Sequence, residues 1–245
     1  MTLNYVELGN DDNPTLIMIH GAGGSSATWY LQLKGLSQHL HCVAIDLNGH
    51  GDSPDRKQND TLQSYLEDIE SVYSQFDQPI LMGHSMGAAL TQLTALSNPE
   101  NLGGIVLVST GAKLRVLPAI FDLLENEFET YVELVGEYMF HKSADKRMIE
   151  ASRKEVTKCH PKIISRDFEL CDNYDIMNKV HTISTPTLVI VGQDDVMTPV
   201  KYSQYLHEMI PNSELSILPN AGHSVMLEQS AEFNKIVLEW VNGLA

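Results

Sequence analysis

Apolar positions along the chain fall into two patterns. Short continuous runs occur at 15–19 (Thr-Leu-Ile-Met-Ile), 42–45, 79–82, 105–108, 187–191 and 214–218. Runs this short, bounded by glycine or polar turn residues, predict buried strands. Between them the apolar residues recur at helical spacing. Leu62, Tyr65, Leu66, Ile69, Val72 and Tyr73 mark one face over 61–76. Further helices are expected over about 27–39, from Gly87 through about Ser97, and over 199–209 and 230–242. Buried strands alternating with amphipathic helices imply an α/β protein, its mostly parallel sheet covered on both faces.

The interval 111–180 breaks this rhythm, because it contains no convincing strand. Phe121, Leu124, Phe128, Tyr131, Val132, Val135 and Tyr138 follow the spacing of one helix face. A second helix is expected near Ser143. A third is expected after Pro161, with Ile164, Phe168 and Cys171 on one face. This predicts a core formed by 1–110 and 181–245, with 111–180 inserted as a helical cap that packs on the core or roofs a pocket.

Charge sharpens that division. The net charge is −16, yet 111–180 holds 11 of the 16 Lys and Arg and 13 of the 32 Asp and Glu. The cap is thus nearly neutral and the core strongly acidic. Nucleic acid is a poor partner for such a chain, since that affinity comes largely from Lys and Arg neutralising phosphates. The acidic surface favours solubility. No apolar run is long enough for a membrane span, and Met1–Glu7 does not resemble a signal peptide. Three cysteines (Cys42, Cys159, Cys171) without paired spacing suit reduced thiols and a cytoplasmic location. No CxxC or HExxH spacing offers a metal site.

The candidate chemistry lies where strands meet glycine-rich turns. Gly83-His-Ser-Met-Gly87 follows a strand and opens a helix, the setting of a nucleophile elbow that exposes Ser85 at a helix N-terminus. Glycines two residues before and two after relieve clashes that a Cβ would cause. A serine hydroxyl needs a base. Of ten histidines, His223 follows the last strand, on the sheet edge where the serine emerges. His20, His50 and His84 belong to glycine-rich turns and are expected to make structural hydrogen bonds. An acid that orients the base should follow the strand 187–191, where Asp194 and Asp195 both qualify. Two backbone donors for an oxyanion are expected at Met86 and at Ala22 in the turn after the first run.

His20-Gly-Ala-Gly-Gly24, Asp46-Leu-Asn-Gly-His-Gly-Asp-Ser53, Gly83-His-Ser-Met-Gly87, Gly192-Gln-Asp-Asp195 and Ala221-Gly-His223 together resemble the α/β-hydrolase superfamily over nearly the whole chain. The likeness is greatest to small capped carboxylesterases and meta-cleavage-product hydrolases. It implies the α/β-hydrolase fold with an inserted helical cap. It also implies Asp195, the third residue after Gly192, as the acid rather than Asp194. Where relatives often carry proline, this chain has Asn48. Serine at 85 separates it from the haloalkane dehalogenases and epoxide hydrolases, which use aspartate there.

The implied function is a serine carboxylesterase acting on small neutral esters, with no cofactor and no metal. One alternative is carbon–carbon bond hydrolysis of meta-cleavage products by the same triad. Another, from a different class, is a hydrolase-like sensor that binds a small ligand. Trp29 and Met226 are candidates for the substrate pocket. Arg115 is the arginine best sited to meet a substrate carboxylate, unless it is simply a solvated residue at the cap junction.

Overall fold

The computed structural model describes residues 3–57 and 59–244. Met1 and Thr2, on which the N-terminal reading begins, lie outside the described residues, as do Gln58 and Ala245. In chain order the strands are β1 (Tyr5–Leu8), β2 (Thr15–Ile19), β3 (His41–Ile45), β4 (Ile80–His84), β5 (Gly104–Val108), β6 (Thr187–Gly192) and β7 (Ser213–Leu218). They form one sheet in the order β1-β3-β2-β4-β5-β6-β7. Every pairing is parallel except β1 with β3. All six expected runs are strands. β1 lies outside the expected runs, because all four of its residues are exposed and no buried face marks it.

The period of two along each strand divides the core. Ile17, Ile19, Val43, Ile45, Leu81, Ile105, Leu107 and Val189 face one side. They meet α2 (Thr61–Tyr73), α3 (Met86–Ser97) and α8 (Val200–Met209) there. Leu16, Met18, Cys42, Ala44, Met82, Val106, Val108 and Ile190 face the other. That side is covered by α1 (Tyr30–Leu36), the short α9 (Val225–Glu228) and α10 (Ser230–Gly243). Complete burial of both faces explains why these strands read as continuous apolar runs rather than alternating ones.

Between β5 and β6 the chain forms four helices: α4 (Pro118–Asn126), α5 (Phe128–Tyr138), α6 (Lys146–Val156) and α7 (Pro161–Asn173). The single helix expected over 121–138 is thus two. Glu127, at φ −140° and ψ 53°, leaves the helical region and serves as the boundary between them. The apolar spacing runs through the break because Leu124, Tyr131 and Val135 enter one cluster with Ile163 and Ile164 of α7. Among the described residues, no helix is long and apolar enough to cross a membrane.

Candidate active site

The chain leaves β2 for β3 on one side of the sheet and later enters β4 on the other. The C-terminal ends of β2 and β4 therefore flank a topological switch point, where open α/β sheets place their ligand sites. Ser85 follows β4 directly. Its backbone has φ 53° and ψ −113°, a left-handed conformation that a serine adopts only under local constraint. The constraint is the close packing of strand against helix. A Cβ on Gly83 would collide with the Gly87 carbonyl group, and one on Gly87 would collide with the Ile19 and His20 carbonyls. Ser85 N–H donates to Val108 O at 2.9 Å, which ties the turn to β5. Ser85 is half-buried at the N-terminus of α3.

His223 lies in the loop after β7 and is 1% exposed. Its Nδ1 is 2.9 Å from Asp195 Oδ2. Asp195 is itself held on every side. Its Oδ1 accepts the N–H of Met197 (2.9 Å) and of Thr198 (2.8 Å), and its Oδ2 accepts the Thr198 hydroxyl at 2.8 Å. Burial opposes ionisation of this carboxyl, but the charge and hydrogen bonds of His223 and Thr198 hold it below the usual carboxylate range. Asp194 points elsewhere: its side chain is 45% exposed and sits 3.9 Å from His141 Nε2. Gly192 lets the two loops touch, since a Cβ there would strike the carbonyls of Ala221 and Gly222.

Two further groups fix the His223 loop, and neither was singled out for that from sequence. His84, beside the serine, donates from Nε2 to the His223 carbonyl at 3.0 Å. Burial, and then the charge of His223, lower the His84 pKa to about 3, so the ring is a neutral donor. Glu228 accepts the N–H of Gly222 at 2.7 Å and of His141 at 2.8 Å, joining the loop to the helical insertion. The turn after β2 stands against the serine. A Cβ on Gly21 would lie 3.3 Å from Ser85 Cβ. Ala22 is next in the chain, and Met86 opens α3, so its N–H has no partner within the helix.

Trp29 and Met226 are both buried in the core with Leu33, Val225 and Phe233. That packing accounts for their apolar character without a substrate. Arg115 is exposed, and its guanidinium donates to the carbonyls of Leu114 and Asp172. Among the described residues, no three His, Cys, Asp or Glu side chains are arranged to hold a metal ion.

The chain matches the alpha/beta hydrolase family model over residues 16–236. Among curated relatives, a Rhizobium rhizogenes protein provisionally named a carbamate hydrolase is 26% identical, covering 96% of this chain and 95% of its own. Among solved structures, a thermophilic esterase is 33% identical with a TM-score of 0.86, covering 100% of this chain and 99% of its own. A meta-cleavage product hydrolase from Pseudomonas fluorescens has a TM-score of 0.83 at 22% identity, covering 99% and 95% of the two chains. With the sheet order, the strained serine after β4 and the aspartate–histidine pair after β6 and β7, these likenesses show that the chain belongs to the alpha/beta hydrolase family.

Proposed function

We propose that this hydrolase is a cytoplasmic serine esterase acting on small, neutral, short- to medium-chain carboxylic esters. Ser85 is the nucleophile, His223 the base and Asp195 the acid that orients the base. His223 Nε2 takes the Ser85 proton as Oγ bonds to the acyl carbon. The carbonyl π electrons move to oxygen, where the backbone N–H groups of Ala22 and Met86 stabilise the charge. When the pair returns, the ester C–O bond breaks and His223 gives its proton to the leaving alkoxide. Water, deprotonated by His223, then repeats the sequence on the acyl-enzyme and releases the acid. Asp195 accepts the Nδ1–H throughout, so that Nε2 faces the reaction in the basic tautomer.

The observation that carries this reading is the strained backbone of Ser85, with φ 53°, on the same sheet edge as the 2.9 Å His223–Asp195 contact. Strain at a residue that is not glycine persists only where the surroundings enforce it, and it clusters at reacting groups. The likeness to a thermophilic esterase at 33% identity favours esters among hydrolase substrates.

Carbon–carbon hydrolysis of a meta-cleavage dienoate would require a cation for the substrate carboxylate. Arg115, the arginine best sited for that from sequence, is exposed and engaged with two backbone carbonyls. The test compares kcat/KM for p-nitrophenyl acetate and butyrate with that for a 2-hydroxy-6-oxo-dienoate, in wild type and in Arg115→Ala. The esters are expected to be the better substrates, with Arg115→Ala near wild type. A preferred dienoate whose advantage disappears in Arg115→Ala would replace this reading with the alternative. Binding without multiple turnover would point to a sensor.

A further inference from the structure

We propose that Asp167, contributed by the inserted helix α7, is a positioning residue that holds the Ala22 oxyanion donor in line from the opposite side of the site. The proposal rests on the serine esterase reading, because it assigns a partner to the donor that reading uses.

Asp167 is fully buried, and no step of the chemistry above employs it. Its Oδ2 accepts the Gly23 N–H at 2.9 Å and His50 Nε2–H at 2.8 Å, while Oδ1 accepts the Tyr65 hydroxyl at 2.6 Å. Gly23 immediately follows Ala22 and has φ +65°. Holding its N–H fixes the peptide on the far side of the donor. Ile164, on the preceding turn of α7, closes over Gly23, where a Cβ would lie 3.1 Å from Ile164 Cγ1. A side chain at 23 would thus be both strained and crowded.

The peptide on the near side of the donor is fixed by His20, whose ring packs against the His50 that Asp167 holds. The Gly21 carbonyl and the Ala22 N–H share one planar trans unit and point in opposite directions, so whatever holds the carbonyl aims the donor. Gly21 O accepts the Gly24 N–H at 3.1 Å and His20 Nδ1–H at 2.8 Å. His20 must be neutral for this, because its Nε2 accepts the Leu47 N–H at 3.2 Å. Burial and the neighbouring charge of His50 lower its pKa to about 4. The His20 and His50 rings are 4.7 Å apart, and His50 in turn is bonded to Asp167. The Asp167 carboxylate therefore holds the peptide after Ala22 directly, and its His50 partner packs against the histidine that holds the peptide before it.

A buried ion pair is weak evidence for a purely stabilising role, since desolvating the charges offsets most of their attraction. A preorganised oxyanion donor supplies another reason to keep one. Loss of one such donor costs about 10²–10³ in kcat, and displacement by about 1 Å can cost about 10²-fold.

The test uses the full chain as wild type, Asp167→Asn and Asp167→Ala. For each, kcat and KM for p-nitrophenyl butyrate are normalised to sites titrated with a phosphonate, and the inhibition constant of butaneboronic acid is measured. The boronate forms a tetrahedral adduct on serine and loads the oxyanion hole. Asparagine keeps one acceptor oxygen for Gly23 but makes weaker, uncharged hydrogen bonds. We expect kcat to fall by about 3- to 10-fold in Asp167→Asn and about 10- to 100-fold in Asp167→Ala. Boronate affinity should fall by matching factors and KM should stay within about 2-fold, the pattern of an interaction made only in the transition state. If Asp167→Ala does not fold, the Asp167→Asn pattern decides alone. A variant that loses thermal stability while keeping kcat and boronate affinity, or loses kcat without boronate affinity, overturns the proposal. A wild type that neither turns over the ester nor reacts with phosphonate would instead remove the esterase reading beneath it.

Discussion

Asp194 and Asp195 are adjacent and chemically identical, and the loop backbone decides between them. Asp195 turns inward, to a site already supplied with donors by Met197, Thr198 and His223, whereas Asp194 turns toward His141 near the surface. We therefore expect Asp195→Asn to lower kcat by as much as about 10⁴, by analogy with loss of the orienting acid in a serine protease. Asp194→Asn should stay within a few-fold of wild type. Steady-state kinetics of the two variants check this, and equal losses would show that the aspartate is misassigned. The chain alone left both residues open, and the family resemblance chose between them. Ser85 and His223 were legible as candidates because glycines and strand ends surround them. The contacts of His84 and Asp167 are distant in sequence: His84 meets His223 across 139 positions and Asp167 meets Gly23 across 144, and no local pattern records either.

At the scale of elements, burial governs what could be read. Strands β2 to β6 are wholly buried and stood out as apolar runs, whereas β1 is wholly exposed and did not. The break between α4 and α5 was hidden because both helices feed the same apolar cluster. The turn at residues 83–87 shows the opposite case, a local rule enforced by packing. Gly87 lets α3 approach the end of β2, and a Cβ there would overlap the backbone carbonyls of Ile19 and His20, which cannot swing aside as a side chain would. Gly87→Ala should therefore cost at least about 1–3 kcal/mol, the usual range for overpacking. Urea unfolding of the variant measures it. A stability equal to wild type would mean that the turn is not held by this contact.

Across the whole molecule, residues 111–180 carry 11 of the 16 Lys and Arg and 13 of the 32 Asp and Glu, so the rest of the chain is strongly acidic, and the segment between β5 and β6 touches the loops on both sides of the candidate site. Asp167 and Glu155 reach the turn after β2, while Met139 and His141 meet the His223 loop. The His50–Asp167 pair makes this contact pH-dependent. Burial alone would lower the His50 pKa, but the Asp167 charge and hydrogen bond raise it above the ordinary value, and the same pair holds Asp167 below its own. A raised histidine contributes stability fully below about pH 6.5, and that contribution is lost as pH climbs through the folded value. The depressed aspartate contributes above about pH 4 and is lost only as pH falls through its folded value. Arg166 and Tyr65 also face the pair, and His20 stays neutral beside it. Thermal melts from about pH 6 to about pH 10 should therefore decline more steeply in wild type than in His50→Gln. Parallel curves would show that the pair is not ionised as described.

In the proposed mechanism Ser85 is the group that attacks the ester. An alkyl phosphonate applied to wild type and to Ser85→Ala, followed by peptide mass spectrometry and p-nitrophenyl butyrate turnover on the same samples, tests it directly. We predict one adduct on Ser85 in wild type, loss of activity in proportion to labelling, and a folded Ser85→Ala variant that neither labels nor turns over substrate. Labelling at another residue, with activity retained in Ser85→Ala, would remove Ser85 from that role.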